Sequence, residues 1–146
     1  MKKILYLLAL TITLALFGCG TPATAPTPTV APAFDQKVID ADNAKLKTEA
    51  VKADFVEING HYDKVKARAV FAEGKITAVD YKNVMDLFPS FTLSQKEGDG
   101  YGMYHVRNVS DSKDLKDGDT VKVYGKIGEP NASGMPTIMC TVIEKK

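Results

Sequence analysis

Tyr101, Met103, His105 and Arg107 alternate with Gly102, Tyr104, Val106 and Asn108 in one short stretch. Successive side chains of a strand point to opposite faces. If the second set packs inward, Tyr101, His105 and Arg107 form an aromatic and cationic strip, with Phe91 or Thr92 of the preceding strand beside it. Such a strip could stack on sugars or bases, each stack contributing roughly 1–3 kcal/mol. The alternative is that these are the exposed aromatics any strand tolerates.

Little else points to chemistry. Cys140 shares parity with Ile138 and Val142 and is expected inside, as a small hydrophobe rather than a reactive thiol. His61, beside Asn59-Gly60, and His105 are the only imidazoles, and no His or Cys spacing suggests a metal site. Asp111, Asp114, Asp117 and Asp119 lack the Gly and Glu positions of a calcium loop and have Lys113 and Lys116 among them, so they read as a solvated connection. There is no nucleophile elbow, phosphate-cradling loop or HExxH. Neither catalytic residues nor a cofactor are expected.

The elements that position the strip follow from periodicity. Val65, Ala67, Ala69 and Phe71 alternate with Lys66, Arg68 and Val70, a period of two that predicts a strand. Glu73-Gly74 interrupts it and predicts a bulge or bend, and Ile76, Ala78 and Val79 resume beyond. Phe91–Leu93 is the second strand, Lys96–Gly100 a hairpin turn and Tyr101–Val109 the third strand. Asp111–Asp119 is a connection in which Leu115 alone is apolar. Thr120–Ile127 is the fourth strand, Glu129–Gly134 a turn and Met135–Glu144 the fifth strand. Five strands with a long bent first one describe a small closed Greek-key barrel; a seven-stranded sandwich fits less well. Ahead of them, Ala44–Ile58 predicts a helix capped by Asp40, Asp42 or Asn43 and stopped by Asn59-Gly60. The alternative is a helix ending near Ala50 and a strand over Val51–Ile58.

The chain has 146 residues and a net charge of +1, with 45% hydrophobic and 25% charged residues. These proportions describe one globular domain and exclude wholesale disorder. No basic excess drives tight binding to nucleic acid. Lys2 and Lys3 precede an apolar run from Ile4 to Phe17, which has the form of an export signal and is shorter than the ~20 residues of a membrane-spanning helix. Residues 20–34 hold four of the seven Pro and no charge. They predict a polyproline-type tether of roughly 40 Å at about 3.1 Å per residue.

Two stretches resemble known families. Leu16-Phe17-Gly18-Cys19 resembles the lipobox of bacterial lipoproteins, although Phe17 stands where a small or branched residue is usual. The resemblance implies that the Cys19 thiol carries diacylglycerol and that cleavage before Cys19 makes it the mature amino terminus. Removing residues 1–18 takes away two Lys and no acid, which turns the net charge slightly negative. Glu73-Gly74-Lys75-Ile76-Thr77-Ala78-Val79-Asp80 and Asp117-Gly118-Asp119-Thr120-Val121-Lys122-Val123-Tyr124-Gly125-Lys126-Ile127 resemble the first and fourth strands of tRNA_anti-like OB domains. That resemblance covers roughly residues 62–146 and implies an OB barrel that binds ligands across its second and third strands, without catalysis. The family often has a helix between its third and fourth strands, for which Ser110–Asp119 leaves room for one turn.

The expected organisation is therefore a signal peptide over residues 1–18, a lipidated Cys19 and tether to residue 34, a helical segment over 35–61 and an OB-like barrel over 62–146. The expected protein is exported to the bacterial cell envelope and held on the membrane by lipid. Its expected partner is an envelope protein or a glycan, with nucleic acid disfavoured and single-stranded nucleic acid or oligosaccharide as the alternative ligands.

Overall fold

A computed structural model describes residues 35–81, 88–110 and 112–146. The export signal, Cys19 and the tether lie outside the described residues. From Phe34 to Lys146 the chain is one compact unit, and no described helix is long and apolar enough to cross a membrane.

Helix α1 spans Gln36–Glu49, with the Asp35 carboxylate accepting from the Lys37 N–H at 3.0 Å as its N-cap. Strand β1 is Val51–Lys52, and α2 is Phe55–Ile58, capped by Asp54, which accepts from the Glu57 N–H. Helix α3 is Tyr62–Val65. The long strands follow: β2 Ala69–Asp80, β3 Ser90–Glu97, β4 Gly100–Asn108, β5 Thr120–Gly128 and β6 Thr137–Lys145. The single helix expected over Ala44–Ile58 is thus wrong at both ends. It starts at Gln36 because Asp35 caps it, and it stops at Glu49 because the next residues pair with β2. The alternative ending near Ala50 was correct about the stop, but only two residues are strand before α2 begins.

Strand β2 changes partner part-way along. Ala69–Lys75 pairs antiparallel with β5, and Lys75–Asp80 pairs with β3. Strand β3 pairs with β4, β4 runs parallel to β6, and β6 pairs antiparallel with β5. The ring β2-β3-β4-β6-β5-β2 is therefore closed, with β1 added in parallel along the first half of β2. This is the five-stranded Greek-key barrel of the OB type. Its core holds Val70, Ala72, Ile76, Leu93, Tyr104, Val106, Val121, Val123, Ile138 and Cys140, all at most 1% exposed.

Two local expectations are corrected. Val65 ends a helix and does not start a strand. The chain then turns at Ala67, whose φ is +60°, so the inward set of β2 is Val70 and Ala72 while Phe71 faces outward. The register shift in β2 falls between Ile76 and Ala78 and not at Gly74. Gly74 instead permits close approach of two backbones: a Cβ there would overlap the Ser94 carbonyl oxygen and lie 2.7 Å from its carbon.

Among the described residues no helix joins β4 to β5. Leu115, the lone apolar residue of that connection, enters the core at 5% exposure. Tyr81 holds it: the hydroxyl accepts from the Leu115 N–H at 3.1 Å and faces the carbonyls of Leu115 and Lys113. Further apolar filling comes from before the barrel, where Ala53, Ile58 and Val65 join the same core.

Between the first half of β2 and the end of β3 the barrel wall is completed by side chains and by the segment Val51–Phe55. The Ala53 N–H donates to the Phe71 carbonyl at 2.8 Å. Gln95, 1% exposed, donates to the Ala53 carbonyl at 2.8 Å and accepts from the Glu73 N–H at 2.9 Å. Glu97 accepts from the Phe55 N–H at 2.8 Å, and from Gln95 and the Tyr104 hydroxyl at 2.6 Å each.

The Ala67 turn yields a stability prediction. A left-handed conformation costs an L-residue roughly 1–2 kcal/mol, and more when the side chain is β-branched. Ala67→Val is expected to lower the unfolding free energy by about 1–2 kcal/mol. Ala67→Gly is expected to stay within about 0.5 kcal/mol of wild type, because relief of strain offsets the added freedom of the unfolded chain. Urea titration with equal midpoints for the two variants would contradict a strained turn.

Candidate ligand-binding face

The β3–β4 hairpin pairs without a break from Ser90↔Arg107 to Glu97↔Gly100. Alternation along β4 puts Gly102, Tyr104, Val106 and Asn108 inside, and Tyr101, Met103, His105 and Arg107 outside. Tyr101 is 66% exposed, and the other three are half-buried. The same alternation on β3 decides which residue flanks them. Phe91 pairs with Val106 and is 3% exposed, in the core beside Leu93. It is removed from the strip, because inward residues of β3 must face inward residues of β4 across an antiparallel pair. Thr92, opposite His105, takes the flanking position, with Ser94 opposite Met103.

Strand β6 extends this face on the other side of β4. His105 is level with Thr137, and Arg107 with Met139. Thr137 is 1% exposed, and its hydroxyl has no hydrogen-bond partner. Met139 was missed because a Met in an amphipathic strand carries no signal until its neighbour is known, while Thr137 lies beneath the face. The face therefore combines one projecting phenol, a thioether, an imidazole, a guanidinium and small hydroxyls. It can stack, donate and attract an anion. Among the described residues it holds no carboxylate pair or activated nucleophile.

The remaining candidates are placed as follows. His61 is exposed at the start of α3. Among the described residues no group of three His, Cys, Asp or Glu side chains could hold a metal. Asp119 accepts from the Lys116 N–H and pairs with Lys145 at 3.0 Å, and this lysine holds its carboxyl below the usual range. Asn108 is fully buried, accepting from Ser110 and donating to the Ser112 carbonyl. Asn131 accepts from the N–H groups of Ser133 and Met135 and shapes the β5–β6 turn.

Cys140 is fully buried, and burial pushes its thiol up to about 12. An unfolded thiol titrates near pH 8.5, so the protonated native thiol contributes stability that is complete below that pH and is lost as pH rises toward 12. In a Cys19→Ser background, iodoacetamide at pH 8 is expected to label Cys140 only as fast as the chain unfolds. Cys140→Ala is expected to flatten the fall in stability between pH 9 and 11. Rapid labelling of the folded chain would contradict this placement.

No family profile matches the chain, and no curated protein matches it. Solved structures do. The small single-stranded DNA-binding protein of Streptomyces coelicolor is 14% identical with a TM-score of 0.42, over 55% of this chain and 94% of that one. The asparaginyl-tRNA synthetase of Pyrococcus horikoshii complexed with asparaginyl-adenylate is 14% identical with a TM-score of 0.44, over 65% of this chain; this chain spans 22% of its length. The OBody AM1L10 bound to hen egg-white lysozyme is 16% identical with a TM-score of 0.42, over 66% and 94%.

Proposed function

We propose that this is a lipid-anchored protein of the bacterial cell envelope whose OB barrel is a non-catalytic binding module for an envelope protein or glycan. The observation that carries the binding reading is the continuous outward row Tyr101–Met103–His105–Arg107, flanked by Thr92 and Ser94 on a hairpin paired without a break. A paired strand presents such groups at little ordering cost on binding. The anchoring reading rests on the lipobox resemblance at Cys19 and on the Pro-rich tether. Several acyl chains hold a protein durably, whereas one chain holds it marginally. Nucleic acid fits poorly, because phosphate affinity scales with Lys and Arg contacts and the charge is balanced.

Two measurements test the proposal. Globomycin or Cys19→Ser should leave the uncleaved precursor, and normal maturation of that variant would end the anchoring reading. Residues 35–146 on glycan and peptide arrays should show a ligand whose binding falls about 5- to 150-fold in Tyr101→Ala, the loss of one aromatic stack. Arrays on which wild type, Tyr101→Ala and Arg107→Ala are equally blank would end the binding reading.

A further inference from the structure

The wall of the barrel contains a segment that is barely part of it. Val51–Phe55 contributes only two ladder residues, Val51↔Val70 and Lys52↔Phe71. Beyond the ladder the Ala53 N–H donates to the Phe71 carbonyl, and side chains meet two further main-chain groups: Gln95 at the Ala53 carbonyl and Glu97 at the Phe55 N–H. The seam also fits its side chains. Ala53 is 2% exposed. The Phe55 Cβ fills the space a side chain on Gly102 would take, and its ring meets Tyr104 edge-on at 5.9 Å. This is recognition of a short extended segment with an aromatic anchor at the helix start that follows it, here by the chain's own residues.

Outside the strap, Ile58 is the one fully buried residue of the arm that carries it. Helix α1 has no buried residue. Of the seven large apolar residues exposed among the described ones, Val38, Ile39, Val51 and Val56 all lie on this arm. The arm joins the barrel through Asn59-Gly60-His61, three exposed residues between α2 and α3, with Gly60 at a φ of +74°.

We propose that the arm Asp35–Ile58 exchanges between two copies of this chain, each Val51–Phe55 strap seating in the other copy's seam. Exchange keeps every strap contact, so the balance depends on the connecting turn and on what the two arms gain from each other. The four exposed apolar side chains supply surface for that gain. A second copy is the fitting occupant because its strap has the same Ala and Phe at the spacing the seam accepts.

The test uses two differently tagged copies of the compact unit, residues 35–146, one with Lys52→Cys and the other with Phe71→Cys. Co-expressed and oxidised, they should give a cross-chain disulfide heterodimer. A single chain carrying both substitutions closes internally and reports that the strap is seated. Gly60→Ala strains the closed turn while favouring an open helical one, and should raise the heterodimer about tenfold. Internal closure without any heterodimer overturns the proposal. So does a chain that stays monomeric by light scattering at high concentration, or a heterodimer yield that Gly60→Ala leaves unchanged.

Discussion

Gly125→Ala is expected to destabilise the barrel by about 3 kcal/mol or more, beyond ordinary overpacking. Gly125 lies in β5 where three strands meet: it pairs with Val70 of β2 and Cys140 of β6, next to a register shift between Tyr124 and Gly125. A Cβ there would overlap the Met139 carbonyl oxygen and come within 2.8 Å of its carbon and 2.9 Å of the Cys140 Cα. All of these atoms are backbone, so no rotamer change relieves them and the strands must separate. Gly100→Ala is the contrast. The one atom near its Cβ is the Glu97 carbonyl oxygen at 3.9 Å, and the change should stay within about 0.5 kcal/mol, as surface substitutions do. Urea unfolding of the two variants decides it; similar midpoints would mean that β5 and β6 can part at no cost.

The same residues show what the sequence revealed of the fold. Val121, Val123, Gly125 and Ile127 carry the inward pattern of β5, and Tyr104 and Val106 that of β4, because both strands bury one face along their whole length. Strand β2 does not. It follows the turn at Ala67, faces Phe71 outward beneath Lys122, whose ammonium stands 4.1 Å from the ring centroid, and shifts register before Ala78. A period of two cannot register a change of partner. The break after Glu49 was legible only as the alternative of a helix ending near Ala50: no Gly or Pro marks it, and it arises from the pairing of β1 with β2 and from the Ala53–Phe71 hydrogen bond. Asp54 and Glu57 at capping spacing were the local sign of a new helix start. At the site, the outward parity of Tyr101, His105 and Arg107 was legible. The exclusion of Phe91 was not, since it required knowing which face of β3 the hairpin turns inward.

Gln95 carries the second large effect. A Gln in a strand looks like a solvent-facing residue, yet this one is 1% exposed and connects three segments. Its amide donates to the Ala53 carbonyl and the Glu97 carboxylate and accepts from the Glu73 N–H. Gln95→Leu keeps the volume and leaves two main-chain groups and a carboxylate short of partners. At about 1–3 kcal/mol per buried unsatisfied group, the expected loss is about 3 kcal/mol or more. Gln95→Glu should cost at least as much, because the donors vanish and a second carboxylate meets Glu97 across the 2.6 Å contact. Tyr104→Phe should cost less, roughly 1.5–3 kcal/mol, the value of one hydrogen bond to a charged acceptor. Burial and the Glu97 carboxylate both raise the Tyr104 phenol, so it stays protonated and donating, and its stabilisation is lost only as pH rises beyond the ordinary tyrosine range. Amide exchange separates strap loss from global unfolding: in Gln95→Leu the Ala53 and Phe55 amides should lose protection before Leu93 does. Uniform loss across all three would mean that the strap and the barrel open as one unit and that Gln95 does not fasten the one to the other.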